Sequence, residues 1–331
     1  MIRSLFLAVL FIVSIFAFSQ SSTSSLDNCM YNNFMQDSLN EFSIKPLSIA
    51  NLEFPLTTNN EKIITHSGYS FSFSQKDKQA LWVAYQLTDK KTAKQFDRSN
   101  KFTQDGSVLS GTASDGDYKG SGYDRGHLAP AADMGWSAKA MTESFYYSNM
   151  SPQLPSFNRG IWKQLEELVR TWAIQNEEIY IVTGGVLNDD LPKIGKGVSV
   201  PKYFYKVILD YKEPSIKGIG FIIPNESSKE LLQRYAVSID SVESFTGINF
   251  FYQLPDYQEK VIEYTLSIKS WDWTDNATFN NVYSNNDSNK VKSGQCLGVT
   301  KKGLRCKNVT TNTNGYCYLH QDQFIAHKKL N

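Results

Sequence analysis

The segment 161–174 constrains the fold most in this 331-residue chain, because its apolar side chains recur at the spacing of an α-helix. The apolar positions on this helical face are Ile161, Leu165, Leu168 and Trp172. Strand-like patterns of apolar residues lie at 66–74, 80–87, 179–183, 203–209 and 219–223. A short helix is predicted at 138–147, and helical or mixed structure at 238–247. A clear helix between groups of strands predicts a chain that combines helices with a sheet.

The composition and the N-terminus indicate an exported globular protein. Hydrophobic residues make up 41% of the chain and aromatic residues 13%, which is enough for a core and excludes a disordered protein. Arg3 followed by the apolar run 4–18 is typical of a secretory signal. We expect a signal peptide at 1–19, a secreted or periplasmic protein and no stable membrane association. An uncleaved membrane anchor is the alternative.

The rest of the chain divides by composition into four parts. Residues 20–50 are rich in Ser and Asn and predict a loose leader. Periodic patterns extend over 51–273, which predicts the main domain. The segment 274–294 contains six Asn without apolar periodicity and predicts a linker. A small module rich in Cys and His follows at 295–331.

The C-terminal module has the residues of a metal site. Its candidate ligands are Cys296, Cys306, Cys317 and His320. Three thiolates and one imidazole suit a structural zinc ion, and so small a module needs such a cross-link. Because export exposes thiols to oxidation, disulfide bonding that also involves Cys29 is the alternative. Although the net charge of the whole chain is only +1, residues 287–331 carry eight basic and two acidic residues, so this tail could contact a polyanion.

His127 is the first candidate for chemistry. It follows the segment 88–126, which has little periodicity, and long excursions of this kind are usually functional. A histidine with an ordinary pKa of about 6.5 can act as a general base near neutral pH. Gly126 would let a ligand approach the backbone closely, and Arg125 can donate paired hydrogen bonds to a phosphate or to a carboxylate such as Asp124. Taken alone, these residues also fit a structural histidine.

A second group of polar residues stands where the 161–174 helix begins. Asn158 lies at or near the helix N-terminus, which favours a phosphate, and its amide oxygen suits a hard cation such as Mg²⁺. In a continuous helix Asn158 and Glu166 would differ by a rise of about 12 Å and a rotation of about 80°. Glu166 would then act through metal-bound water, or the helix begins later. An N-cap and a solvated helix face are the alternatives for the two residues.

Three motifs follow one another along the chain. They are Asp-Arg-Gly-His-Leu-Ala-Pro at 124–130, Tyr-Ser-Asn-Met-Ser-Pro-Gln at 147–153 and Phe-Asn-Arg-Gly-Ile-Trp-Lys-Gln-Leu-Glu at 157–166. They resemble the DNA/RNA non-specific endonuclease family, the ββα-metal nucleases of the endonuclease G type. Similarity at 82–85, 201–206 and 246–251 extends the resemblance over roughly residues 52–272. The resemblance implies an α+β fold of the ββα-metal (His-Me finger) type, with a central antiparallel or mixed sheet flanked by helices.

The resemblance also implies a function and the residues that perform it. The expected activity is metal-dependent, largely sequence-non-specific hydrolysis of phosphodiester bonds in DNA, and also in RNA, to 5′-phosphate ends. By their places in the motifs, His127 corresponds to the general base and Asn158 to the protein ligand of Mg²⁺, for which Mn²⁺ is the alternative. Glu166 corresponds to the acid that holds metal-bound water.

Three further residues match positions of the family less directly. Arg98 falls where the family carries an arginine that neutralises the scissile phosphate, and Arg125 matches the arginine of the first motif. Asn149 corresponds to a residue that positions the base and the metal-facing loop. A non-catalytic nucleic-acid-binding protein on the same scaffold and a phosphodiesterase of narrower range are the alternative functions. The sequence leaves the preference between DNA and RNA open, and also the oligomeric state, for which a homodimer is one option.

Overall fold

The computed structural model describes residues 46–57, 62–188, 190–274, 294–295, 306–307 and 309–310. The predicted signal peptide at 1–19 lies outside these residues, as do nearly all of the predicted leader and linker. Of the predicted zinc ligands, Cys296, Cys317 and His320 also lie outside them. Cys306 is described, and its side chain is buried. The prediction of a zinc site or a disulfide in the tail therefore stays a prediction.

The chain divides into two compact units. The larger unit comprises the residues described up to Glu166 together with Trp172–Trp271. The smaller unit comprises Glu167–Thr171 and the residues described from Asp272 onward. All the candidate site residues outside the tail belong to the larger unit.

One antiparallel sheet organises the larger unit. The strands of the described residues are β1 Ile63–Thr65, β2 Ser70–Ser74, β3 Gln79–Thr88, β4 Asp124–His127, β5 Met150–Gln153, β6 Glu178–Gly185, β7 Lys193–Ile194, β8 Val198–Ser199, β9 Tyr203–Asp210, β10 Lys217–Pro224, β11 Ala236–Val237, β12 Gly294–Gln295 and β13 Val309–Thr310. The α-helices of the same residues are α1 Asp115–Tyr118, α2 Ala138–Glu143, α3 Pro155–Phe157, α4 Lys163–Gln175, α5 Ile239–Thr246 and α6 Asp256–Tyr264. Seven of these strands form the sheet in the order β1-β2-β3-β6-β9-β10-β11, while β4 with β5, β7 with β8 and β12 with β13 form separate pairs.

Aromatic side chains cover the sheet on both faces, because successive residues of a strand point to opposite sides. On β9, the ring of Phe204 lies 5.2 Å from that of Phe157 and 5.7 Å from that of Trp162, measured between centroids. The next residue, Tyr205, points the other way, and its ring lies 5.7 Å from that of Phe250. The α+β fold with a central antiparallel sheet flanked by helices is therefore confirmed.

Helix α5 packs so closely on β10 that the strand needs glycine at two positions. A Cβ atom added to Gly218 would stand 2.5 Å from Cδ1 of Ile239, and one added to Gly220 would stand 2.4 Å from Cγ2 of Val242. Such distances leave no room for a larger residue in a packed core. The segment 238–247, for which helical or mixed structure was predicted, is helical, with Ser238 as the N-cap.

The predicted elements agree with the structure better for strands than for helices. The strand patterns at 80–87, 179–183, 203–209 and 219–223 fall within β3, β6, β9 and β10. The strand predicted at 66–74 begins only at Ser70, because the backbone of 66–69 makes a turn closed by the His66 N–H on the Tyr69 carbonyl, at 2.8 Å. The helix predicted at 138–147 ends at Glu143, and α6 has no counterpart in the sequence analysis. Among the described residues, no helix has the length and apolar character needed to cross a membrane.

Candidate active site

A strand pair and the helix that follows it bring the three motifs together. Strand β4 pairs antiparallel with β5, so that Asp124 lies opposite Gln153 and His127 opposite Met150. The chain then enters α4 through the turns that begin with α3. His127 thus ends a strand, and the long excursion stops before β4. Two paired strands followed by a helix form the ββα unit that the resemblance implied.

Gly126 is explained by packing inside the strand pair. A Cβ atom at this position would stand 2.2 Å from both Cδ and Oε1 of Gln153. The side chain of Gln153 is fully buried, so it has no space into which it could retreat. From the sequence we expected Gly126 to let a ligand approach the backbone. In the structure it is required because β5 packs closely against β4.

The imidazole of His127 lies in an aromatic pocket. Its ring meets Phe145 edge to face at 4.8 Å between centroids, and Phe102 lies 5.9 Å away. The residue is only 8% exposed, and Nε2 has no hydrogen-bond partner among the described residues. Burial, and then the nearby Arg98 cation, lowers the pKa of His127 to about 3. The ring is therefore neutral at neutral pH, the state that a proton acceptor requires.

Arg98 connects His127 with Glu166. Its guanidinium lies over the ring of Phe145 at 4.9 Å from the centroid, and Nε donates a hydrogen bond to Asn100 at 2.8 Å. Partial burial against this ring lowers the pKa of Arg98, and the negative charge of Glu166 opposes that change. Because Arg98 interacts electrostatically with both His127 and Glu166, the structure brings these three predicted residues into one site.

Asp124 orients the side chain of Asn158. The amide nitrogen of Asn158 donates a hydrogen bond to Oδ2 of Asp124 at 2.9 Å. Arg159 grips the same carboxylate with two hydrogen bonds, of 2.8 and 2.6 Å. Although burial opposes ionisation, the hydrogen bonds from Arg159 and Asn158 hold the pKa of Asp124 below its usual value. With its nitrogen fixed on a carboxylate, Asn158 keeps its amide oxygen available as a ligand for a hard cation.

The entry to α4 is kinked, and this changes the expected relation of Asn158 to Glu166. A π-helical stretch runs over Asn158–Trp162, and Gly160 has φ −104° and ψ −116°, outside the helical range. The regular helix begins only at Lys163, so that Glu166 lies in its first turn. The separation calculated for a continuous helix therefore does not apply. Of the two options left open, the structure has the later helix start.

Arg125 is held away from the carboxylate that the sequence analysis suggested. It forms an ion pair with Asp115, and its Nε donates a hydrogen bond to the Tyr147 hydroxyl at 3.0 Å. Its guanidinium also lies over the Phe102 ring, 5.0 Å from the centroid. Of the partners offered for Arg125, a phosphate or a carboxylate such as Asp124, the structure shows a carboxylate, but it is Asp115, and Asp124 pairs with Arg159. Arg125 instead links β4 to α1.

Asn149 is a buried clamp on the chain that leaves His127. Its amide oxygen accepts a hydrogen bond from the Ala129 N–H, and its amide nitrogen donates to the Ala129 and Ser144 carbonyls, each at 2.9 Å. The Leu128 N–H donates to the Asn149 carbonyl at 3.0 Å. The residue is fully buried, and its hydrogen bonds join the segment Leu128–Ala129, which follows His127, to Ser144. These contacts fit a role in positioning the base.

Two residues of the site were missed by sequence reasoning, for different reasons. Asp124 stands in the first motif, but we considered it only as a partner of its neighbour Arg125. Its hydrogen bond to Asn158, 34 positions further along the chain, was not predicted. Phe145 contacts both His127 and Arg98, but nothing in its sequence context distinguishes it from any other buried phenylalanine. A signal was available for the carboxylate, and none for the ring.

The donor set of the site fits a hard divalent cation. Asn158 offers an amide oxygen and Glu166 a carboxylate within the first turn of α4. Oxygen donors of this kind are those that Mg²⁺ and Mn²⁺ prefer. A histidine on a strand pair, followed by a helix whose entry and first turn carry such donors, is the arrangement of a metal-dependent ββα nuclease.

The comparison with protein families agrees with this class. The model of the DNA/RNA non-specific endonuclease family matches residues 48–257, and the chain belongs to this family. It is thus a nuclease, a hydrolytic enzyme of a metal-dependent family. The resemblance drawn from the three motifs is confirmed, while the C-terminal Cys/His module lies beyond the matched residues.

Named relatives match more than half of the chain. Human mitochondrial endonuclease G is 35% identical over an alignment of 205 residues, and the match covers 56% of this chain and 68% of the relative. Nuclease C1 of Cunninghamella echinulata var. echinulata is 35% identical over an alignment of 227 residues, and the match covers 63% of this chain and 90% of the relative. A solved structure of an EndoG/EndoGI complex, described as showing the mechanism of EndoG inhibition, matches with a TM-score of 0.56 and 32% identity, covering 60% of this chain and 89% of that one.

Proposed function

We propose that this protein is a Mg²⁺-dependent endonuclease that cuts DNA, and also RNA, at internal phosphodiester bonds without strict sequence preference and leaves 5′-phosphate ends. The observation that carries the proposal is the buried, neutral imidazole of His127 beside Arg98, next to a helix entry that presents Asn158. A base, a cation for the phosphate and a metal ligand are the three functions that phosphodiester hydrolysis requires.

His127 serves as the general base in this mechanism. Its neutral ring accepts a proton from the water molecule that attacks phosphorus. In the protein alone its low pKa makes it a weak base. An anionic phosphate near the ring favours the protonated form, so substrate binding raises that pKa toward the range useful for catalysis. The aromatic walls formed by Phe145 and Phe102 fix the plane of the ring.

Arg98 supplies positive charge to the scissile phosphate. Its guanidinium is held over Phe145 and by Asn100, while the residue as a whole remains exposed to an incoming strand. A guanidinium can donate two parallel hydrogen bonds to phosphate oxygens. Because Arg98 also lies near His127, it orders the phosphate against the base.

Asn158 and Glu166 are the residues that we propose to hold the metal. When bound, Mg²⁺ would polarise the phosphate and stabilise the charge that develops on the leaving oxygen. Asn158 would bind it through the amide oxygen that Asp124 leaves unused. Glu166 would orient its hydration shell from the first turn of α4.

One digestion experiment tests the proposal. Supercoiled plasmid DNA and a long RNA are incubated in parallel with the full chain, with Mg²⁺, with Mn²⁺ or with EDTA. We expect nicking and then fragmentation of both substrates with metal, no cleavage with EDTA, and fragments that a ligase can join without added kinase. Binding of DNA without cleavage in any metal would overturn the proposal and favour a non-catalytic nucleic-acid-binding protein. Cleavage of a small model diester alone would favour a narrower phosphodiesterase.

We propose further that the protein is secreted or periplasmic, on the strength of the apolar run at 4–18 after Arg3. Mass spectrometry of the protein from the extracellular or periplasmic fraction should find a mature N-terminus at Gln20. Recovery of the whole chain from the cytoplasm would contradict this proposal.

A further inference from the structure

Three carboxylates meet where α5 lies beside α6, far along the chain from the nuclease motifs. Asp240 and Glu243 stand on α5, and Glu263 stands near the end of α6. One oxygen of each carboxylate lies within 4.8 Å of those of the other two. The α5–α6 carboxylate cluster, as we name these three residues, is separate from the site of His127 and Asn158.

Glu263 is the member of the cluster that points to a ligand. The residue is only 4% exposed, and its Oε1 is buried without a hydrogen-bond partner among the described residues. A buried carboxylate oxygen without a partner is costly. Glu243, by contrast, has a partner of its own, because its Oε1 accepts a hydrogen bond from the Phe250 N–H at 2.7 Å. An ionised Glu263 therefore requires a positive or hydrogen-bonding group that the described residues do not supply.

The electrostatics of the cluster agree with that requirement. Burial, and then the other carboxylates, raises the pKa of Glu263 to about 9. Burial also raises the pKa of Glu243 to about 7, against the hydrogen bond from Phe250. The charged groups that act on these two residues are all acidic, with Glu259 adding to the three members of the cluster. Ionising all three carboxyl groups is therefore unfavourable unless a cation is bound, and without one Glu263 is protonated near neutral pH.

We propose that the α5–α6 carboxylate cluster binds a divalent cation of the Ca²⁺ type, held by Asp240, Glu243 and Glu263. Ca²⁺ accepts six to eight oxygen ligands in flexible geometry, including carboxylates bound through one oxygen or two. Two oxygens bound to one Ca²⁺ can lie up to about 5 Å apart, which the measured spacing satisfies. The set contains no nitrogen or sulfur donor, so it does not favour zinc.

The bound ion acts on the fold and not on the phosphodiester. It ties α5, which packs on β10 through Ile239 and Val242, to α6. This layer lies on the Tyr205 side of the sheet, whereas Phe157 and Trp162, which flank the nuclease helix entry, lie on the Phe204 side. A ligand that binds only the folded state stabilises it by mass action.

The test uses the full chain with Asn158→Ala, which removes the proposed ligand of the nuclease metal. The protein is treated with EDTA, exchanged into metal-free buffer and titrated with CaCl₂ by calorimetry, and its thermal unfolding is followed with and without CaCl₂. We expect one Ca²⁺ to bind and the unfolding temperature to rise. Adding Glu263→Gln should weaken binding by more than about tenfold and remove the rise, since a ligand is lost.

Glu226→Gln on the same background is the matched control, because it makes the same change at an exposed residue outside α5 and α6. It should retain both the binding and the rise. If Glu263→Gln fails to fold, Asp240→Asn takes its place, and it should weaken binding in the same way. Absence of Ca²⁺ binding by the Asn158→Ala chain, or unchanged binding with Glu263→Gln or Asp240→Asn, would overturn the proposal and leave protonated carboxyl groups as the account of the cluster.

Discussion

At the scale of single residues, His127 is the side chain on which the proposed hydrolysis depends most. Replacing it by Ala removes the proposed base, and we expect the cleavage rate to fall by at least the ~10²–10⁴-fold typical of general acid–base catalysis. Initial rates on plasmid DNA with Mg²⁺ measure the effect. His327→Ala, a histidine of the C-terminal tail, is the control and should cleave at the normal rate. Full activity of His127→Ala would refute the assignment.

The burial of a neutral histidine also makes stability depend on pH. Because burial and then Arg98 lower the pKa of His127 to about 3, the unfolded chain binds a proton there at pH values where the folded chain does not. The contribution of this group to stability is complete above pH ~6.5 and declines as the pH falls toward 3, with about 2 kcal/mol lost at pH 5. Denaturant unfolding at pH 7 and pH 5 should show a smaller loss in His127→Gln by that amount. Equal losses in the two proteins would contradict the prediction.

Asp124 is a positioning residue, and its removal should affect the metal more than the chemistry. Asp124→Ala releases the amide of Asn158, which it now holds at 2.9 Å. We expect the Mg²⁺ concentration for half-maximal cleavage to rise about 10–100-fold, as is typical when a group that orients a metal ligand is lost. The rate at saturating Mg²⁺ should recover in large part. Asp256→Ala, an exposed acid of α6, should leave the Mg²⁺ dependence unchanged.

At the scale of elements, the strand pair β4–β5 depends on one glycine. Gly126→Ala places a Cβ atom against the buried Gln153 side chain, and such overpacking costs about 1–3 kcal/mol. Gly106→Ala is the matched control, because nothing lies within 4 Å of its added Cβ atom. Chemical unfolding should show a clear loss for the first variant and no loss for the second. Similar free energies of unfolding for both variants would argue against the packing account.

The helix that follows this pair shows how far local patterns can define an element. Apolar spacing predicted a helix at 161–174, and α4 covers most of that range. The apolar spacing could not predict the π-helical entry at Asn158–Trp162. The conformation of this entry depends on the packing of Phe157 and Trp162 against β9, a contact between distant parts of the chain. The position of Asn158 relative to Glu166 depends on that entry.

At the scale of the whole molecule, the C-terminal module is a prediction that awaits measurement. We expect the purified full chain to carry about one zinc ion, because three cysteines and one histidine form a complete tetrahedral set. Cys306→Ser should lower the zinc content measured by elemental analysis, and Cys29→Ser should not. A disulfide detected by intact mass, without zinc, would show that oxidation prevails in the tail.

The predictions from sequence succeeded where the structure depends on residues that are close together in the chain. Four strands of the sheet were identified because each has a local pattern of alternating or consecutive apolar residues. They lie at 80–87, 179–183, 203–209 and 219–223. Helix α6 was not predicted; its buried residues are Ile262 and Glu263, and it packs against α5 and β10, contacts that the sequence does not show. Asp124 was one partner offered for Arg125, but adjacent residues of a strand point to opposite sides, and the two side chains pair with Arg159 and Asp115.

The sequence by itself therefore determined the family, the sheet strands β3, β6, β9 and β10 and the candidate residues His127, Asn158 and Glu166, since these are carried by motifs and patterns of fixed local spacing. The tertiary structure decided what surrounds them. The ring of Phe145 contacts His127, 18 positions away in the chain, and makes its surroundings apolar. Asp124 accepts a hydrogen bond from Asn158, 34 positions away. The carboxylates of α5 and α6 likewise meet only in the fold. Contacts between distant segments depend on how the sheet and its layers pack, and no local pattern of residues encodes them.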